Sequence, residues 1–419
     1  MRTQVQVVYP DVVSLGGDPE RALQMLHTVE EVLAERGLAM PWSLAINLAR
    51  CFTLLRLGRP EEVVRISAAE IARLDGWNMG VVSMTATSAM GHRMCGRAEQ
   101  ALEILGPALR ICRAGGPFTS SLFCFAEAAH SAALLGDVDS ARSFTAEAGQ
   151  HAPDAWGSAR FWLDIAHPWI SAAAGDIDAA VRQCRENADR IRDLGAVAFE
   201  LIGLHDIVRL GRPDTPRRRL TELASTTSGQ CASLYARHAQ ALADADGTAL
   251  TAVADDFAEL HMWLYSAEAA TQGALAFKAA GAAVRSRVAS AQAAERLRHC
   301  PGVRTPALAG LVTPELTSRE RQIAELAAGG LSNQLIAERL GLSRRTVENH
   351  PYTTYTKLGV STRSDLAGIL GPDRSTNRRA NAPNRWNSRP GFGLWLGRRR
   401  SWRPGGWRKG PVRGIGRCM

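Results

Sequence analysis

The sequence predicts an all-α chain: a long array of helix pairs, then a small helix-turn-helix unit, then a disordered basic tail. Three observations carry this reading. A glycine-led turn recurs seven times at intervals of 36 to 41 residues. The segments upstream of these turns, such as LAINLARCFTLLRL and SLFCFAEAAHSAALL, space apolar residues three and four apart, the period of a helix with one buried face. Alternating β-branched stretches are almost absent. The boundaries that follow are 1–300 for the repeats, 301–312 for a linker, 313–370 for the small unit and 371–419 for the tail.

The repeated turns read GDPERAL at Gly17, GRPEEVV at Gly58, GRAEQAL at Gly96, GDVDSAR at Gly136, GDIDAAV at Gly175, GRPDTPR at Gly211 and GTALTAV at Gly247. So regular a spacing marks a helical repeat. The glycine suits the left-handed conformation that ends one helix, where a Cβ would be strained. Aspartate, or proline one position later, suits the first turn of the next, because proline lacks only an amide that has no partner there. A small alanine or valine shortly after lets the two helices of a pair approach.

These units resemble tetratricopeptide-like repeats, although several are longer and the consensus aromatic positions are not kept. The resemblance implies a solenoid; the concave face of such a stack can hold a protein segment or a small-molecule effector, or the stack can serve as a passive spacer. Trp42, Trp77, Trp156, Trp162, Trp169 and Trp263 read as core wedges. His130, His167 and His205 read as packed or water-satisfied side chains without metal-ligand spacing.

Composition excludes several functions. No apolar run is long enough to span a bilayer, since the most apolar candidate, GALAFKAAGAAV, is broken by Lys278. No basic-then-apolar leader opens the chain, so a cytoplasmic location is expected. The eight cysteines stand singly, without C-x-x-C or H-E-x-x-H, and read as reduced buried thiols. No nucleophile–base constellation and no phosphate-binding glycine loop occurs, so neither an enzyme nor a cofactor is expected. The net charge of +9 is concentrated in the tail, where thirteen basic residues face Asp373 alone, and the rest of the chain is slightly acidic.

From residue 313 the sequence becomes specific. Thr317 and Glu320 have the spacing of a capping box, with the threonine hydroxyl accepting from the Glu320 amide. Ile323, Leu326 and Ala327 form an apolar stripe, and Gly329–Gly330 stops that helix. Ser332 caps the next, which runs through Leu335, Ile336, Ala337 and Leu340. Ala337 permits close helix crossing, Gly341 takes a left-handed turn, Ser343 caps a third helix and Val347 locks it onto the second. On that third helix Val347, Pro351, Thr354 and Leu358 share the inward face. Arg345, Glu348, Asn349, Tyr352 and Thr356 point outward.

LTSRE, GLSNQLIAERL, LSRRTVENH and KLGV together resemble the C-terminal DNA-binding domain of LuxR-type bacterial transcription regulators. Repeats followed by such a domain are similar to the C-terminal part of the large ATP-dependent LuxR regulators. Without a P-loop, the chain looks like a truncated member or one product of a split gene. The resemblance implies double-stranded DNA as partner, with Glu348, Asn349 and Tyr352 at base edges. Asn333, Ser343, Arg344, Arg345, Thr346 and Lys357 are placed for phosphates. Dimers on paired half-sites are expected by the same analogy.

Pro351 departs from the aliphatic residue usual in that family. It removes an amide that should bond the Val347 carbonyl, and its ring crowds the preceding turn. Thr354 adds a hydroxyl where the core wants a methyl. An alternative reading follows, in which the chain is a repeat-based interaction protein whose DNA-binding end is impaired. The tail, with nine glycines and four tryptophans among its 49 residues, reads as a frameshift or readthrough product ahead of a nonspecific nucleic-acid binder.

Overall fold

The computed structural model describes residues 2–74, 79–116, 118–151, 157–311, 318–345 and 347. Among the described residues every regular element is helical and there is no strand. Sixteen helices form the body in consecutive pairs: α1 (Arg2–Leu15) with α2 (Pro19–Glu35), α3 (Ala39–Arg56) with α4 (Pro60–Arg73), α5 (Met79–Met94) with α6 (Ala98–Arg113), and α7 (Phe118–Leu134) with α8 (Val138–His151). The series continues with α9 (Gly157–Ala173) and α10 (Ile177–Asp193), then α11 (Val197–Arg209) and α12 (Arg217–Ala224). It closes with α13 (Gln230–Ala243) and α14 (Gly247–Glu259), then α15 (Trp263–Ala279) and α16 (Ala283–Leu297).

Each odd-numbered helix packs on its even partner and also on the next odd helix, so the odd helices line the interior. Burial follows the same division. Helices α5, α11 and α15 are buried nearly all round, whereas α6 and α10 bury one face and expose the other. The array curls back on itself. Helix α1 meets α11, and the Ser228 amide donates to the Gly17 carbonyl at 3.0 Å while the Ser228 hydroxyl donates to Asp18 at 2.7 Å.

The turn chemistry holds at six of the seven positions: Gly17, Gly58, Gly96, Gly136, Gly175 and Gly211 all have positive φ. Asp18 and Asp176 cap the helices that follow, accepting from the amides of Arg21 and Ala179. Gly247 differs. It is the first residue of α14, and the left-handed turn is made by Ala245 at φ 51°. The reason for glycine there is space, because a Cβ would lie 2.7 Å from the Phe277 ring. Gly247→Ala should therefore destabilise the body by about 1–3 kcal/mol through overpacking. A shift in the urea unfolding midpoint measures it, and an unchanged midpoint contradicts the contact. Gly281, at φ 73°, makes an eighth turn, between α15 and α16, that the seven-fold pattern does not include. It is followed by alanine rather than Asp, Arg or Thr.

The 301–312 connection is not a free tether in its described part. Val303 and Leu308 are buried in the main core, the Arg304 amide donates to the Leu134 carbonyl at 2.7 Å, and a 3-10 turn at Pro306–Gly310 packs on α15. Trp162 and Trp169 are buried core side chains, and Trp42 and Trp263 pack at the edges of cores. Trp77 and Trp156 lie outside the described residues. Seven cysteines are free and buried, and Cys418 lies outside the described residues. No described helix is long and apolar enough to cross a membrane.

The interior is unusually polar. Arg209 is 2% exposed and is bound by Asp206 and Glu268, which are equally buried. Arg93 pairs with Glu127 at 2.7 Å. His205 and His238 contact each other at 2.9 Å, and His238 reaches Gln272 at 2.6 Å, so His205 is satisfied by a buried side-chain relay. Burial pushes His92 and His238 down to about 4, and lowers His130, His205, His167 and His299 as well.

A pH dependence follows. The unfolded chain protonates its imidazoles from about pH 6.5 downward, while the native chain does not, so the stability they contribute is lost as pH falls from about 6.5 toward 4. Burial raises Glu127 and Asp206, which act in the opposite sense, but six imidazoles outweigh two carboxylates. Urea midpoints should be lower at pH 5 than at pH 7.5, and a flat profile contradicts this.

Candidate nucleic-acid interface

The small unit has a core of its own. Helices α17 (Ser318–Ala328) and α18 (Asn333–Leu340) bury Ile323, Ala324, Ala327, Ile336 and Ala337, together with Val347 from the chain beyond. Gly330, at φ 87°, ends α17, and the Ser332 hydroxyl accepts from the Leu335 amide at 3.3 Å to start α18. Gly341 ends α18 in the left-handed conformation, at φ 64° and ψ 38°, and the Leu342 amide donates back to the Ala337 carbonyl at 2.9 Å. This is the tight turn a non-glycine residue would strain.

A third helix opens immediately after it. Arg344 and Arg345 are helical, and the Val347 amide donates to the Ser343 carbonyl at 3.1 Å. Val347 is fully buried, worth about 1.5–3 kcal/mol of apolar transfer, and pins the start of this helix against α17 and α18. Ser343, Arg344 and Arg345 are exposed on its first turn, and Asn333 is half-buried at the start of α18. Glu320 is buried in the first turn of α17. Thr317, Thr346, Glu348, Asn349, Pro351, Tyr352 and Lys357 lie outside the described residues.

One tie was not legible in the sequence. Arg319 sends Nη2 to the Leu340 carbonyl at 2.7 Å and Nη1 to Gln322 at 3.1 Å, joining the start of α17 to the end of α18. A cation on a helix C-terminal carbonyl is favoured by the helix dipole. Nothing local to Arg319 points to a partner 21 residues away.

The sequence of this unit has relatives. The luxR family of bacterial regulatory proteins matches residues 314–370. The transcriptional regulatory protein UhpA of Salmonella typhimurium is 45% identical over 67 residues, 16% of this chain and 34% of that protein. UhpA of Escherichia coli is 50% identical over 52 residues, 12% of this chain and 26% of that protein. The chain thus spans about a third or less of the length of these relatives. Residues 314–370 are a regulatory domain of the luxR family, carried on the C-terminal side of a helical body.

Proposed function

We propose that the protein is a cytoplasmic, non-enzymatic transcription regulator that binds double-stranded DNA through residues 313–370. The helix starting after Ser343 enters the major groove, with Glu348, Asn349 and Tyr352 at base edges. Asn333, Ser343, Arg344, Arg345, Thr346 and Lys357 hold phosphates, and two copies occupy paired half-sites. The observation that carries the reading is the left-handed Gly341 turn followed by buried Val347, which sets the third helix with its first-turn arginines exposed.

The helix pairs form a tetratricopeptide-like solenoid that serves as sensor or partner-binding region. Its support is the odd-on-odd helix stacking and the recurrent glycine turns. Residues 371–419 add charge without sequence reading. Pro351 favours a second reading, in which DNA affinity is weak and the repeats carry the remaining activity.

Salt-dependent binding to the DNA upstream of its own gene, by the full chain and by a 1–370 truncation, tests the proposal. The truncation should retain binding with a shallower salt slope, because fewer cations then displace counterions. Loss of all binding with the tail would reduce the interaction to nonspecific charge.

A further inference from the structure

A narrow, largely enclosed slot lies where the array closes on itself. Its wall is mainly apolar and aromatic, from Leu55, Trp162, Ile165, Phe199, Tyr235 and Tyr265. The charged groups on the wall are already paired within the protein: Arg93 with Glu127 at 2.7 Å, Asp206 with Arg209 at 2.8 Å, and Arg56 with Asp11 at 2.6 Å.

The wall atoms without a protein partner are neutral ones: Ser14 Oγ, Thr227 Oγ1 and His130 Nε2. Ser14 is fully buried and His130 is 3% exposed. Buried polar atoms are rarely left unmatched, so three on one wall point to a partner from outside the chain. Burial, reinforced by Arg93 and Arg209, holds His130 well below the ordinary imidazole range, which keeps it an uncharged donor or acceptor.

We propose that this slot binds an uncharged, mainly apolar small molecule: an aromatic ring system bearing hydroxyl or carbonyl groups that Ser14, Thr227 and His130 hydrogen-bond. The aromatic side chains supply apolar contact surface, and the absence of an unpaired wall charge disfavours ions, which would be buried without compensation. Ser14 and Gly17 come from the end of α1, and Thr227 and Ser228 from the connection before α13. A ligand there bridges the two parts of the array that meet at closure. The inference deepens the sensor reading above and rests on it for any consequence at DNA, but binding itself is measured without DNA.

Calorimetric titration of the full chain with 2-naphthol, neutral at pH 7, and with anionic 2-naphthoate on the same ring system tests the slot. Saturable 2-naphthol binding is expected, with 2-naphthoate at least about tenfold weaker. Thr227→Val and Ser14→Ala should each weaken 2-naphthol roughly three- to tenfold, the worth of one hydrogen bond. Thr227 lies in the connection before α13 and its hydroxyl has no protein partner, so the valine variant keeps the fold. Ala198→Phe, which fills the slot, should abolish binding. No saturable binding up to about 1 mM, equal binding of the anion, or indifference to both hydroxyl variants overturns the assignment. Failure here leaves operator binding intact, and failure of operator binding leaves this titration unchanged, so the two readings fall separately.

Discussion

Arg209→Met should lower the stability of the helical body by about 3–5 kcal/mol, the usual cost of removing one partner from a buried charge cluster. Arg209 sends Nε and Nη2 to Glu268 at 2.6 and 3.1 Å and Nη1 to Asp206 at 2.8 Å. Its guanidinium also lies 4.2 Å from the ring centres of both Trp169 and Tyr265. One side chain thereby ties α9, α11 and α15. Methionine keeps much of the bulk but leaves Asp206 and Glu268 buried without a counter-charge. Asp206 retains only its bond from Trp169 Nε1 at 3.1 Å. The double variant Arg209→Met with Glu268→Gln should recover part of the loss, because one stranded charge is removed. Urea midpoints for the three proteins read this directly. A loss below about 1 kcal/mol for the single variant would mean that the cluster is close to neutral against an apolar replacement.

Pro351→Leu should tighten DNA binding by about ten- to a hundredfold, the larger figure corresponding to about 3 kcal/mol of relieved helix strain. The third helix is under way before the proline, since the Val347 amide is bonded to Ser343 and its side chain is buried. Leucine restores the amide that would donate to the Val347 carbonyl, and frees His350 to take helical angles. Titration of labelled upstream DNA with the two full chains, at one salt concentration, measures the difference. Equal affinities would show that the proline costs the bound state nothing.

Much of the architecture was legible because it is local. A glycine that ends a helix and an aspartate that starts the next leave a pattern within a few residues, and six of the seven predicted turns have the expected conformation. Gly247 misled because the same letter serves another purpose, making room for Phe277. Gly281 stays outside the sequence pattern because alanine follows it, where Asp, Arg or Thr follows the other seven glycines. In the small unit Ser332 and Gly341 act within their own helix or turn, and Ala337 and Val347 belong to a core built from neighbouring stretches of chain.

The charge cluster and the slot could not be read this way. Arg209 and Glu268 are 59 residues apart, and Ser14, His130 and Thr227 meet one cavity only because the array closes. Their helices read as ordinary apolar segments with a few polar residues, which in a one-dimensional pattern look like surface positions.

The most direct test of the central claim is the ratio of affinities for the upstream DNA and for a scrambled duplex of equal length, at one salt concentration. Phosphate contacts cancel in that ratio, leaving base reading. The account predicts a ratio of at least about ten for the full chain, higher for Pro351→Leu, and close to one for Asn349→Ala. A ratio of one in both the natural chain and Pro351→Leu would contradict it.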